Sequence, residues 1–374
     1  MKRKSTMLGL VSAFLFTIML GSMWPGSFGT AEVAAQKGGG QSDDYEDLPL
    51  AKPLESTDPR SQLNPELLES QPMPFPEYAH QGAPIDPEFG ASEASFNPQT
   101  GEERTNMLYK PERKRVYPTR VQPLWPGNLG PNAERNEIDA DATEQRDNND
   151  DRNFSVIGAD NRTRITNTTA YPWRTMTKLY MTFPNNSRFI CSGALINAKY
   201  VLTAGHCVYS HTNGGWARSI EVIPGLRGTY KPYGSAFTSY MRSYVGWTRD
   251  RDSNYDFALM TLDRNIGNST GWLGYATYPT VNGITDNLAG YPGDRDQGLS
   301  LFYHFGQILS STSFRLSYTI DTAGGQSGSN IYRIVNGQRY VFAVHTNGGT
   351  ASNSGTRITS QRFDDLRAWI ASGR

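Results

Sequence analysis

Residues 155–374 predict an all-β domain assembled from many short antiparallel strands. Three observations carry that reading. Short apolar or alternating runs recur along the segment, clusters of Gly, Asn, Pro and Ser separate them, and helical spacing is confined to the tail. In chain order the runs are "KLYMTF", "ALINAKYVLTA", "SIEVIPG", "DFALMTL", "LSLFYHF", "LSYTI" and "RYVFAVH". Their β-branched and aromatic residues suit a pleated, half-buried surface, and the residues between them are those that turns require. The tail, "SQRFDDLRAWIAS", places Phe363, Leu366, Trp369 and Ile370 on one helical face, with Ser360 or Thr359 positioned to cap it.

The chain upstream has a different character. Lys-Arg-Lys at positions 2–4, an apolar run from Met7 to about Met23 and a small-residue site at Val33-Ala34-Ala35 read as a secretory signal peptide over residues 1–35. A retained membrane anchor is the competing reading, but the run is only marginally long enough to span a bilayer. Residues 36–154 carry 12 Lys and Arg against 23 Asp and Glu, a net of −11, whereas residues 155–374 carry 21 against 12, a net of +9. Rich in Pro, Glu, Asp, Asn and Gln and without sustained periodicity, the acidic segment has little apolar surface to offset its ordering entropy. It is expected to be a removable pro-segment, largely disordered, drawn to the downstream domain by opposite charge. A plain solvated spacer is the alternative.

The chain has two cysteines, Cys191 and Cys207, and an exported protein most simply pairs them. Closing so short a loop is worth about 3 kcal/mol by chain-entropy reasoning. Free buried thiols are the alternative. No internal repeat, phosphate-cradling glycine loop or metal-ligand cluster stands out. No cofactor or metal is therefore expected, and nothing indicates a structural calcium.

Chemistry is concentrated at three places. His206 ends the apolar run "YVLTAGHC" and is followed at once by Cys207, so a strand and a disulfide would hold its imidazole rigidly, as a general base requires. Asp256 precedes the run "FALMTL"; a carboxylate buried there needs a donor, and a histidine Nδ1–H is a natural one. Ser327 sits in "GGQSGS", where glycines permit a tight turn and the amides of Gly325 and Ser327 can converge on one oxyanion hole. Alone, each is weak: such a serine is usually a turn, such a histidine usually structural. Together they occur in the order His, Asp, Ser on an exported all-β chain, the order of the chymotrypsin-type proteases.

"LTAGHC", "NYDFALM" and "GGQSGS" resemble the three catalytic blocks of the chymotrypsin-fold serine peptidases. "SVIGADNRTRITNTTAYPWR", "YPGD", "AVHTNGG" and "GTRIT" resemble the bacterial glutamyl endopeptidases, the Bacillus type above all. The likeness covers residues 155–374 and does not extend to the acidic segment. It implies two packed, antiparallel, six-stranded β-barrels, over about 155–265 and about 275–360, a C-terminal helix over about 361–372, and a catalytic cleft between the barrels. It implies His206 as general base, Asp256 as its orienting carboxylate and Ser327 as the nucleophile that forms an acyl-enzyme.

Asp321, six positions before Ser327, poses the specificity question. In trypsin-like enzymes an aspartate there selects Lys or Arg. Yet residues 322–326 lack the cysteine that braces that pocket, and Gln326 replaces the aspartate that holds the new N-terminus in trypsin activation. The resemblance implies instead that His345 and Thr322 grip a substrate carboxylate, with help from the α-amino group of Ser155 as the mature N-terminus. An unpaired Asp321 about 4 Å from that carboxylate would repel it by roughly 4 kcal/mol at an effective dielectric of 20. Asp321 must then turn away or be neutralised by donors. Asn330 stands where proline is common in the family. His211 and His304 read as surface or structural, and Trp216, Trp247 and Trp272 as core or barrel-edge aromatics.

The expected function is a secreted, extracellular serine endopeptidase made as a proenzyme and cutting after Glu, with Asp accepted less well. The alternatives are Lys/Arg specificity through Asp321 and a catalytically silent binding module. Expected partners are protein or peptide substrates and the chain's own pro-segment. An activating protease is also expected, because neither Phe154 nor nearby Arg152 is a glutamate; trimming after Asp151 or Arg152 is the other route. No nucleic acid, no stable membrane association after signal cleavage, and a monomer are expected.

Overall fold

The computed structural model describes residues 52–84, 87–106, 120–121 and 154–374. The candidate signal peptide lies outside these residues. Ahead of the main body come β1 (Gln71–Pro72), a hairpin of β2 (Glu93–Asn97) and β3 (Glu102–Asn106), β4 (Arg120–Val121), β5 (Phe154–Ser155) and β6 (Thr163–Ile165). β7 (Met176–Thr182), β8 (Arg188–Asn197) and β9 (Tyr200–Thr203) follow, then a small hairpin of β10 (Tyr209–Ser210) and β11 (Gly215–Trp216). β12 (Ser219–Pro224), β13 (Ala236–Tyr244) and β14 (Ala258–Leu262) complete the first half. The second half holds β15 (Gly274–Thr277), β16 (Thr285–Gly290), β17 (Leu301–Ser311), β18 (Arg315–Tyr318), β19 (Thr322–Ala323), β20 (Asn330–Val335), β21 (Gln338–Asn347) and β22 (Asn353–Arg357).

Two closed barrels result. The first runs β12-β7-β8-β9-β14-β13 and closes where β12 pairs with β13; the second runs β20-β16-β17-β18-β22-β21 and closes where β20 pairs with β21. Each circuit has six strands, and every pairing within it is antiparallel. Closure removes the unpaired edges that an open sheet of this size would expose. Leu179, Leu195, Val201, Val222 and Met260 share one buried face of the first barrel; Leu288, Ile308, Leu316, Ile331 and Phe342 form a separate cluster in the second. The C-terminal helix Ser360–Ala371 buries Phe363, Leu366 and Trp369, and Thr359 caps it by accepting from the Arg362 amide.

The described part of the acidic segment has few regular elements, as its composition implied, but it is anchored throughout. β2 pairs antiparallel with β13, and β1 lies parallel to β8. Leu54 N–H donates to Pro232 O at 2.6 Å, Leu63 N–H to Thr229 O at 2.9 Å, and Ser61 O accepts from Lys231 N–H at 2.6 Å. Charge joins in at specific places: Glu93, nearly buried, takes the Trp369 indole N–H at 2.9 Å and lies 3.6 Å from the Arg242 guanidinium. Glu103 takes the Trp216 indole N–H at 2.9 Å. Backbone pairing and the satisfied buried carboxylate of Glu93, beyond diffuse attraction, hold this segment on the first barrel.

Candidate active site

Strand register sets the first two site residues opposite each other. β9 pairs with β14 so that Thr203 faces Ala258. His206 lies three residues beyond the first, in the helical turn Gly205–Val208, and Asp256 two residues before the second. The turn is pressed so closely onto its neighbours that a Cβ at Gly205 would come within 2.8 Å of the Trp247 ring and 2.9 Å of the Phe257 nitrogen. Cys207, next in the chain, is disulfide-bonded to Cys191 on β8. The imidazole is therefore fixed from both sides.

Asp256 binds His206 twice: its Oδ1 accepts the His206 amide at 2.9 Å, and its Oδ2 sits 2.8 Å from the ring Nδ1. Both residues are buried, at 1 % exposure for His206 and 0 % for Asp256. Burial works to raise the Asp256 carboxyl, but the facing His206 imidazole and its hydrogen bonds, with the Tyr78 hydroxyl, hold it below the ordinary carboxylate value. An ionised acceptor on Nδ1 keeps the proton there and leaves Nε2 as the basic nitrogen.

Ser327 occupies the turn between β19 and β20. Gly325 and Gly328 flank it with φ of +95° and +84°. The fit is close as well as turned: a Cβ at Gly328 would meet Thr203 Oγ1 at 2.1 Å and Ser192 O at 2.2 Å. Gln326 braces the turn, its Oε1 accepting the Ala323 amide at 2.9 Å. The Ser327 carbonyl accepts from Ser192 N–H at 2.8 Å and lies 3.6 Å from Cys207 Sγ, which brings the serine beside the residue that follows His206. Among the described residues neither Ser327 Oγ nor His206 Nε2 has a hydrogen-bond partner, though both are buried, and neither the Gly325 nor the Ser327 amide is taken by an acceptor. The His–Asp bond is made and the His–Ser bond is not; in unliganded sites such contacts tighten only around substrate.

Asp321 is buried with its carboxylate taken up by main-chain donors. Its Oδ1 accepts the Ile157 amide at 2.8 Å and its Oδ2 the Asn161 amide at 3.1 Å, so both oxygens are occupied by the chain just beyond Ser155. His304 is tied to the same anchor: its Nδ1 accepts the Asp321 amide at 2.8 Å, which makes that nitrogen unprotonated and the imidazole neutral. The sequence left no sign of the Ile157 and Asn161 contacts, which span 164 and 160 residues.

His345 is on β21 and fully buried. The Tyr318 hydroxyl sits 2.6 Å from its Nδ1, while its Nε2 has no partner among the described residues. Burial, then the neighbouring His206 and Arg315, push His345 down to about 3, so the ring is neutral at neutral pH. Thr322, on β19, likewise buries an unpartnered Oγ1. Thr322 pairs with Ser155 through β5, and a Cβ at Gly348, three residues past His345, would collide with the Ser155 hydroxyl. Thr322 is thus set beside Ser155, and Gly348 against the Ser155 hydroxyl. His211 packs on Trp247 at 4.9 Å, and Trp247 also edges His206 at 6.4 Å.

Among the described residues of the upstream segment, Tyr78 and Phe75 reach this site, and no motif announced them. The Tyr78 hydroxyl lies 2.8 Å from Asp256 Oδ2 and 3.2 Å from Thr346 O. Phe75 meets the His345 ring edge-on at 5.9 Å between centroids.

The trypsin family profile matches residues 163–370. The chain is 41% identical over 224 residues to a glutamyl endopeptidase of Bacillus licheniformis, covering 58% of this chain and 69% of that protein. It is 40% identical over 220 residues, with the same coverage, to a Bacillus subtilis protein named extracellular metalloprotease. Among the described residues, the grouping with metal-ligand spacing is Cys191, His206 and Cys207, whose sulfurs are bonded to each other and whose imidazole is committed to Asp256; that donor set does not fit an ion. A solved Glu endopeptidase structure superposes with a TM-score of 0.53 at 31% identity, covering 58% of this chain and 99% of that one.

Proposed function

Since the chain belongs to the trypsin family of serine proteases, we propose that it is a secreted endopeptidase, made as a proenzyme, that cuts peptide bonds after glutamate and less readily after aspartate. The observation that carries the reading is the buried His206–Asp256 pair, whose Nε2 has no partner among the described residues, together with the likewise buried and unpartnered hydroxyl of Ser327, whose carbonyl lies 3.6 Å from Cys207 Sγ. Ser327 Oγ attacks the scissile carbonyl carbon while His206 Nε2 takes its proton. Asp256 stabilises the imidazolium. The resulting oxyanion meets the two untaken amides of Gly325 and Ser327, a contact in which each donor is worth about 10²–10³ in rate. Collapse breaks the C–N bond, His206 protonates the leaving amine, and a water activated by the same nitrogen releases the acyl group.

Glutamate preference is supported by what the pocket wall offers and what it withholds. His345 has its Nδ1 2.6 Å from the Tyr318 hydroxyl and its buried Nε2 without a partner among the described residues, and the buried Thr322 hydroxyl is likewise unsatisfied. Two buried polar side chains without partners can both serve as donors to a carboxylate, and a charge-assisted bond is about twice as strong as a neutral one. Asp321, the residue a Lys/Arg pocket would need, spends its oxygens on Ile157 and Asn161. A positive α-amino group at Ser155 after processing would add to the carboxylate field.

A peptide library varied only at the residue before the cut tests this. The processed enzyme should favour Glu, then Asp. His345→Phe or Thr322→Val should lower kcat/KM for Glu peptides by about 10- to 100-fold, the equivalent of 1.5–3 kcal/mol for a bond to a charged group. Preferential cutting after Lys or Arg would overturn the specificity.

A further inference from the structure

We propose that residues 71–80 are an inhibitory plug that fills the catalytic cleft of the intact chain, seating Phe75 on His345 and Tyr78 on Asp256. The inference rests on the protease reading above and adds to it the partner that the cleft holds before activation: a proline-framed aromatic stretch, "QPMPFPEYAH".

Contacts run along the whole stretch. Gln71 and Pro72 pair with Phe189 and Ile190 of β8, and the Met73 amide donates to Ile190 O at 3.0 Å. Pro72 lies against Gly293, where an added Cβ would come within 2.3 Å of its ring; the Gly293 amide in turn donates to Gly324 O, in the turn that carries Ser327. Phe75 then stands over the specificity wall, edge-on to His345, and its ring would come within 2.9 Å of a Cβ at Gly348. Tyr78 follows with its hydroxyl on Asp256 Oδ2 and its ring against Trp247 at 5.9 Å and under Arg315 at 5.6 Å. Beyond it, His80 O accepts the Ser253 amide at 3.0 Å and Gly82 O the Asn254 side-chain amide at 2.8 Å. One strand of chain therefore passes the nucleophile turn, the pocket wall and the orienting carboxylate in succession.

The same stretch is built to be held and not cut. Prolines 74 and 76 flank Phe75, so the bond after the residue in the pocket is an imide. Glu77, the side chain that the pocket is proposed to prefer, is exposed. Prolines also lower the entropy lost on docking an extended segment, because φ is already fixed. In the intact chain Ser327 has 0 % and His206 1 % exposure.

The test compares the rate at which a fluorophosphonate labels Ser327 in the intact chain and in the same preparation after limited proteolysis has converted it to the active form. The intact chain should label at least 100-fold more slowly. Phe75→Ala and Tyr78→Ala should each raise labelling of the intact chain at least tenfold. A synthetic peptide of residues 70–82 should inhibit the processed enzyme competitively, and its Phe75→Ala, Tyr78→Ala form should bind at least tenfold less well; this arm does not depend on the variants folding. Equal labelling before and after conversion, or a peptide without effect at millimolar concentration, overturns the plug and leaves the protease reading standing. Failure of the processed enzyme to label at Ser327 sinks both.

Discussion

Replacing Asp321 with asparagine separates an anchoring aspartate from a selecting one. In the structure the carboxylate is 1 % exposed and accepts two backbone amides, Ile157 at 2.8 Å and Asn161 at 3.1 Å. An amide side chain has one acceptor oxygen, so one of these donors would face an NH₂ group. A hydrogen bond to a charged group is worth about 1.5–3 kcal/mol, and a buried donor left unmet costs about 1–3 kcal/mol more. The sum, about 2.5–6 kcal/mol, is a large share of the stability of a single domain. At about 2–4 °C per kcal/mol for a domain of this size, the melting midpoint should fall by about 5–24 °C. Unfolding is followed by circular dichroism in chains that also carry Ser327→Ala, which prevents self-digestion. A parallel pair with Ser327 intact is profiled on Glu and Lys peptides, where the ratio should stay within about threefold. If Asp321 faced the pocket, removing its charge would instead relieve a repulsion of roughly 4 kcal/mol and raise Glu cleavage by about 10³. An unchanged midpoint with a shifted Glu/Lys ratio would refute the anchoring argument.

Asp256→Asn should leave the fold in place but lower kcat by about 10⁴, since the amide would favour the wrong His206 tautomer; steady-state kinetics of the processed variant read this directly. Replacing Cys191 and Cys207 with serine opens a bridge between residues 16 apart in sequence and should cost about 3 kcal/mol in a urea titration. Burial pushes the Asp365 carboxyl, which accepts from the Tyr244 hydroxyl at 2.8 Å, up to about 7. Its folded value lies above the unfolded value of about 3.9, so the folded state holds this proton more tightly and stability falls as pH rises from about 4 to 7. Asp365→Asn should flatten that limb of the stability–pH curve.

The strands that sequence patterning found are those whose side chains do the packing. β7, β9, β12, β14 and β21 carry the apolar runs and bury nearly every residue. β13 and β22 were missed for physical reasons. β13 buries Arg242 and Ser243, whose polar groups are met by the Arg374 and Phe257 carbonyls, so burial there leaves no apolar signature. β22, "NSGTR", is held by register, and Gly355 lets it approach Val344 O so closely that a Cβ would come within 2.5 Å. The pairing of His206 with Asp256 was legible because each lies in a local motif whose residue types the chemistry requires. Asp321's partners were not, because the donors are main-chain amides, which any sequence supplies. The contacts of Phe75 and Tyr78 were hidden for a related reason: composition marks a segment as poor in core, but not whether another domain offers it a groove.

The central claim is that Ser327, activated by the His206–Asp256 pair, carries the acyl group during turnover. Acid-quenched mass spectrometry of the processed enzyme mixed with a glutamyl ester measures that species. The account predicts one acyl adduct, mapped to Ser327, absent in Ser327→Ala and formed far more slowly in Asp256→Asn. Product release with no adduct, or with an adduct on any other side chain, would contradict it.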